Sequence, residues 1–86
     1  MPEISRFFGI IVTMYHNDHP PPHFHAKYAE YKAKIEIATG DVIAGSLPTR
    51  ALSMVEEWRQ QHMGELTACW SQVISHEIPA RIEPLE

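Results

Sequence analysis

From Phe7 to Tyr15 apolar residues occupy both alternating frames of the run Phe-Phe-Gly-Ile-Ile-Val-Thr-Met-Tyr. A run of this kind, rich in β-branched residues, predicts a central strand covered on both faces. Asn17, Asp18, His19 and Pro20 to Pro22 then break the pattern. Three successive prolines supply no backbone donors and fix φ at about −65°, which predicts a stiff, extended loop. Beyond it Phe24, Ala26 and Tyr28 are apolar on one frame, whereas Tyr31, Ala33, Ile35 and Ile37 are apolar on the opposite frame. An unbroken strand would put one of those sets in water, so a turn at Ala29 and Glu30 is expected between strands His23–Tyr28 and Tyr31–Ala38. Thr39-Gly40-Asp41 reads as a further turn, and Val42 to Ala44 as a short fourth strand ending at Gly45 and Ser46.

The period then changes from two to 3.6. Pro48 suits a first helical position, where its missing N–H costs nothing, and Ala51, Leu52, Val55 and Trp58 form an apolar stripe as far as His62. Gly64 interrupts it at a cost of about 1 kcal/mol, and Met63, Leu66, Cys69, Trp70, Val73 and Ile74 resume the stripe. Two helices, Pro48–His62 and Gly64–Ser75, follow. Pro79 and Pro84 end the second, leaving Ile82 and Leu85 to fold back onto the sheet. The expected fold is α+β: a mostly antiparallel sheet of four strands packed against two C-terminal helices.

A chain of 86 residues builds one core, which makes residues 1–86 a single domain. Its 44% hydrophobic and 21% charged residues are ordinary globular usage. No apolar stretch is long enough for a membrane span, and the N-terminus, with Glu3 and Arg6, is unlike a secretory signal, so a cytoplasmic setting is the default expectation. Cys69 is the only cysteine, which excludes an intrachain disulfide, and its place in a helical stripe points to a buried thiol. The formal charge of −4 argues against a broad nucleic-acid face. Lys27, Lys32 and Lys34, interspersed with Glu30 and Glu36, read as a mixed solvated surface.

Chemistry concentrates in Tyr15-His16-Asn17-Asp18-His19-Pro20-Pro21-Pro22-His23-Phe24-His25, which holds four of the six histidines. His23 and His25 lie two apart on a strand whose apolar frame is Phe24, Ala26 and Tyr28, so both imidazoles should leave the same face. Two such rings can converge on a metal or flank a phosphate, with His19 or Asp18 as a third ligand or as an orienting carboxylate. Loop histidines also serve simply as hydrogen-bonding groups, and that reading stands beside the functional one. A His-x-His pair followed by Glu30 is shared with cupins, but a short chain with a helical second half cannot form that double-sheet barrel. Arg50, in the first helical turn, is placed either to contact an anion or to remain solvated. Trp58 and Trp70 read as core, and His62 and His76 as helix-end residues.

The opening Met-Pro-Glu-Ile-Ser-Arg-Phe-Phe-Gly-Ile, the loop Asn-Asp-His-Pro-Pro-Pro-His-Phe-His-Ala, and Gly-Ser-Leu-Pro-Thr-Arg-Ala-Leu with Trp58 resemble a bacterial family known as domain of unknown function 4160. The resemblance implies equivalent roles for Asp18, His19, Pro21, Pro22, His23, Phe24 and His25, and for Leu47, Pro48 and Arg50. It also implies a small protein partner of the domain 2442 type, encoded by a neighbouring gene in a toxin and antitoxin-like pair.

Three functions fit these residues. A metal-independent, ribonuclease-like toxin would use His19, His23, His25 and Asp18 as acid and base, with Arg50 on the scissile phosphate. A metal-binding module would hold a divalent transition metal (zinc, nickel or iron) on His23, His25 and His19 or Asp18, with affinity falling below about pH 6 as the imidazoles protonate. A non-catalytic component would dock its loop on another protein. RNA is a possible partner that the net charge does not favour, a homo-oligomer is open, and no membrane partner is expected.

Overall fold

The computed structural model describes residues 3–16 and 19–86. Five strands precede two helices: β1 (Glu3–Phe7), β2 (Ile10–Thr13), β3 (His23–Tyr28), β4 (Tyr31–Glu36), β5 (Val42–Gly45), α1 (Thr49–Gln61) and α2 (Met63–Ile74). The strands form one antiparallel meander in the order β1-β2-β3-β4-β5. The α+β architecture and the β3–β4 hairpin agree with the sequence reading, but the sheet has five strands rather than four.

The extra strand comes from the apolar run Phe7–Tyr15, which is not a single strand. Phe8 (φ 49°) and Gly9 (φ 82°) make a two-residue turn that reverses the chain between β1 and β2. Two consecutive left-handed residues match the twist of the flanking strands. The turn is hidden in the sequence because its first position carries an exposed Phe instead of Asn or Asp. The run is not covered on both faces either: Ile10, Val12 and Met14 are buried in the core, whereas Ile11 and Tyr15 are only partly buried. The central strand is β3, which pairs with β2 and β4.

Pairing of Phe24 with Ile35, Ala26 with Ala33 and Val12 with Ala26 puts one apolar row across the sheet. The helices pack on that row. Trp58 is fully buried, its ring 5.4 Å from that of Phe7 and 5.8 Å from that of Phe24. Val55, Leu66, Cys69, Trp70 and Val73 complete the helical side of the core, while Met63 and Ile74 stay exposed at the helix ends. Burial pushes the Cys69 thiol up from its ordinary pKa. Pro48 is the N-cap of α1, one residue before the first-turn position expected for it.

Two polar connections close the layers. Buried Arg59 donates Nε to Glu56 Oε2 at 2.8 Å and Nη1 to the Ile37 carbonyl at 2.8 Å, tying α1 to the chain just beyond β4. The tail returns along β1: the Ile82 amide donates to the Ile4 carbonyl at 2.8 Å, and Trp58 Nε1 donates to the Glu83 carbonyl at 2.8 Å. Ile82 and Leu85 are buried as the tail folds back. No helix among the described residues is long and apolar enough to cross a membrane.

Candidate functional site

Side chains alternate along a strand, so the residues between those of the apolar row leave the opposite face of the sheet, except that His23, at the start of β3, packs against α2. In the register Thr13 stands opposite His25 and Ile11 opposite Lys27, while His23 stands opposite Glu36, His25 opposite Lys34 and Lys27 opposite Lys32. This open face is hollowed. One depression of about 320 Å³ is lined by residues that include Arg6, Thr13, Tyr15, His25, Lys27 and Lys32. A second, contiguous through His25 and Lys32, is lined by Lys34, Ala44 and Gly45.

An aromatic series runs from this face into the molecule. The Tyr15 ring meets His25 edge-on, with centroids 4.6 Å apart at 85°. The His25 and His23 rings are 5.3 Å apart, and His23 is 5.3 Å from Trp70 on α2. The two histidines thus come together as the spacing predicted, yet in different surroundings. His23 is 5% exposed and its Nδ1 donates to the Pro21 carbonyl at 2.8 Å, which fixes the ring against the proline loop. His25 is only partly buried and reaches the hollow.

The other candidates lie elsewhere. Asp18 is outside the described residues. His19 is exposed and makes no ring contact with another described residue. Arg50 is exposed beside Phe8, Tyr28 and Pro48. Since Tyr28 is five residues along β3 from His23, this hollow is roughly 16 Å down the strand, and Arg50 is not brought into the histidine pair. His62 ends α1 with Nδ1 donating to Glu65 at 2.6 Å, and the His76 ring lies 5.1 Å from that of His16, just past α2. Among the described residues no group of three or more His, Cys, Asp or Glu side chains could hold a metal ion, so His23 and His25 do not form the expected three-ligand set with His19.

The charge pattern is what sequence reasoning missed. Glu30 lies in the β3–β4 turn and Glu36 stands beside His23, which leaves Lys27, Lys32 and Lys34 contiguous on the open face. The carboxylate lining the larger hollow is Glu3, whose pKa is held below the usual carboxylate range first by its hydrogen bond with Arg6 and also by Arg81. Among the described residues, Arg6, Lys27 and Lys32 line the hollow with Glu3, a carboxylate already shared between two guanidinium groups, while Lys34 has Glu36 two residues along on the same face. The signal lay in the frames: the turn at Ala29–Glu30 moves Lys32 and Lys34 onto the face of Lys27, which a linear alternation of signs conceals.

The fold and site define an α+β protein with a helix-covered apolar sheet face and a concave, cationic, histidine-bearing face opposite. The chain belongs to the family described as Domain of unknown function (DUF4160), whose model matches residues 9–71, from the β1–β2 turn into α2. No curated protein and no solved structure shows significant similarity to it.

Proposed function

We propose that this protein is the RNA-directed member of a two-protein, toxin and antitoxin-like pair, and that it holds single-stranded RNA on the open face of its sheet. One observation carries the RNA reading: Lys27 and Lys32 stand directly opposite each other in a hollow floored by Tyr15 and His25. Like charges in register work against a sheet, and an anionic occupant would offset them beyond what Glu3, already shared with Arg6 and Arg81, supplies. Tyr15 and His25 offer ring surfaces to unstacked bases, while the lysines meet phosphates, the division of labour that suits a single strand. Pairing with a second small protein rests on the family resemblance.

His25 is the group placed for proton transfer, because it is the histidine that reaches the hollow. There it would exchange a proton with the 2′-OH or the leaving oxygen, with Lys34 beside it to stabilise charge on the phosphorus oxygens. His23, held by Pro21 and packed on the His25 ring, is a positioning residue.

The test is a fluorescence-anisotropy titration of a labelled 20-nucleotide single-stranded RNA at low salt, beside the Lys27→Thr/Lys32→Thr variant. Binding that weakens at least tenfold in the variant, with unchanged circular dichroism, is expected. Equal affinity in both proteins, or no association at 20 mM salt, would overturn the RNA reading. The His25→Ala variant should retain most of the affinity and lose any cleavage that the wild type performs.

A further inference from the structure

The two edges of the sheet are treated differently. On β1 the chain's own tail lies against the edge, through one backbone hydrogen bond from the Ile82 amide to the Ile4 carbonyl and the Arg81–Glu3 ion pair at 3.1 Å. On β5 no described segment does so. Val42, Ile43, Ala44 and Gly45 are all exposed, Val42 at 38% and Ile43 at 45%. This strand carries no charge and no proline; it is short and its pairing with β4 shifts register between Lys34 and Ile35, but its backbone edge is left uncovered by any described segment.

We infer that β5 is a docking edge, and that its occupant is an extended acidic segment of a partner protein, added as a sixth antiparallel strand. Backbone geometry gives the first half of the argument. The Ser46 amide donates to the Lys32 carbonyl, and the next pair is Gly45 opposite Ala33. Hydrogen-bonded and non-bonded pairs alternate in an antiparallel ladder, so the Gly45 N–H and C=O point away from β4 to the edge. Such groups are matched by another backbone in strand conformation.

Charge gives the second half. Ala44 stands opposite Lys34, and both line the hollow that reaches His25. A strand added beyond β5 lies about 4.8 Å from it, and its residue opposite Ala44 projects onto the same face as Lys34 and Lys32. An acidic side chain there meets ammonium groups. A second copy of this chain paired at the same edge would instead bring another cationic face alongside. The inference stands on the edge and on Lys34, whether or not RNA occupies the hollow.

The probe is an eight-residue peptide of alternating Glu and Val, titrated into the 15N-labelled full chain, with alternating Lys and Val as the control. The acidic peptide should shift the amides of residues 42–46 and slow hydrogen exchange at Gly45 by at least tenfold. The lysine peptide should do neither. Ile43→Glu alters an exposed side chain, leaves the sheet intact in its amide spectrum, and should weaken the acidic peptide at least fivefold. Three results would overturn the inference: no protection at Gly45, equal binding of both peptides, or light scattering that shows a dimer of this chain whose contacts occupy β5. None of them bears on RNA affinity, which is read separately with the Lys27→Thr/Lys32→Thr variant.

Discussion

Lys27 and Lys32 face each other across β3 and β4, where two ammonium groups in register work against the pairing they belong to. Replacing Lys27 by Thr removes the repulsion and adds a β-branched residue, so the folded state should gain about 0.2–1 kcal/mol while RNA affinity falls. Urea denaturation and the anisotropy titration read the two effects separately. The histidines divide in the opposite way. His23→Ala leaves the Pro21 carbonyl without its ring donor and opens a gap beside Trp70, and should cost about 1–3 kcal/mol in the same denaturation experiment. His25→Ala alters a partly exposed ring and should change stability by less than about 1 kcal/mol. At this scale the sequence was a good guide to the His-x-His pair, because strand alternation alone puts His23 and His25 on one face. It was a poor guide to their unequal burial, which depends on α2 bringing Trp70 against His23, a contact between residues 47 positions apart.

The elements were legible wherever the frame of apolar residues changed and obscure where it did not. The frame switch between Tyr28 and Tyr31 locates the β3–β4 hairpin, whereas the β1–β2 turn leaves no such mark. Phe8 holds a left-handed conformation that a bulky residue resists, and it is 59% exposed. Phe8→Asn should therefore raise stability by about 0.5–1 kcal/mol, as seen in the urea midpoint. Gly45 is the reverse case. Its φ of 76° and the Lys32 carbonyl oxygen, with which any Cβ would collide, make Gly45→Ala a disruption of β5, expected as loss of exchange protection at Ser46. Between elements, Glu56 binds buried Arg59, whose hydrogen bonds hold the carboxyl below its usual range. A carboxyl lowered on folding stabilises the protein above its unfolded pKa of about 4.3, and the contribution fades as pH falls through the lower folded value. Glu56→Gln should thus flatten the acid limb of the stability curve below about pH 5, measured by denaturation at each pH.

For the whole molecule, a formal charge of −4 does not describe each surface separately. Net charge averages over a surface, and here the sheet gathers Arg6, Lys27, Lys32 and Lys34 on one face. Neither composition nor the linear order of signs contains that arrangement, since it requires the four strands β1 to β4 in register. A face of four cations sets a modest electrostatic scale. Neutralising four phosphates of a single strand gives a slope of log affinity against log salt of roughly −3. Anisotropy titrations between 20 and 200 mM salt should return a slope no steeper than this, and the Lys27→Thr/Lys32→Thr variant should return about half of it. The family's description states no role, and its match spans residues 9–71, which include Lys27, Lys32 and Lys34 but not Arg6. The open face is where the account stands or falls, and the most direct measurement is an NMR titration of the 15N-labelled protein with single-stranded RNA. The account predicts shift changes concentrated at residues 11–15, His25, Lys27, Lys32 and Lys34, with α1 and α2 unmoved; changes confined to the helices, to the surroundings of Arg50, or absent at saturating RNA would contradict it.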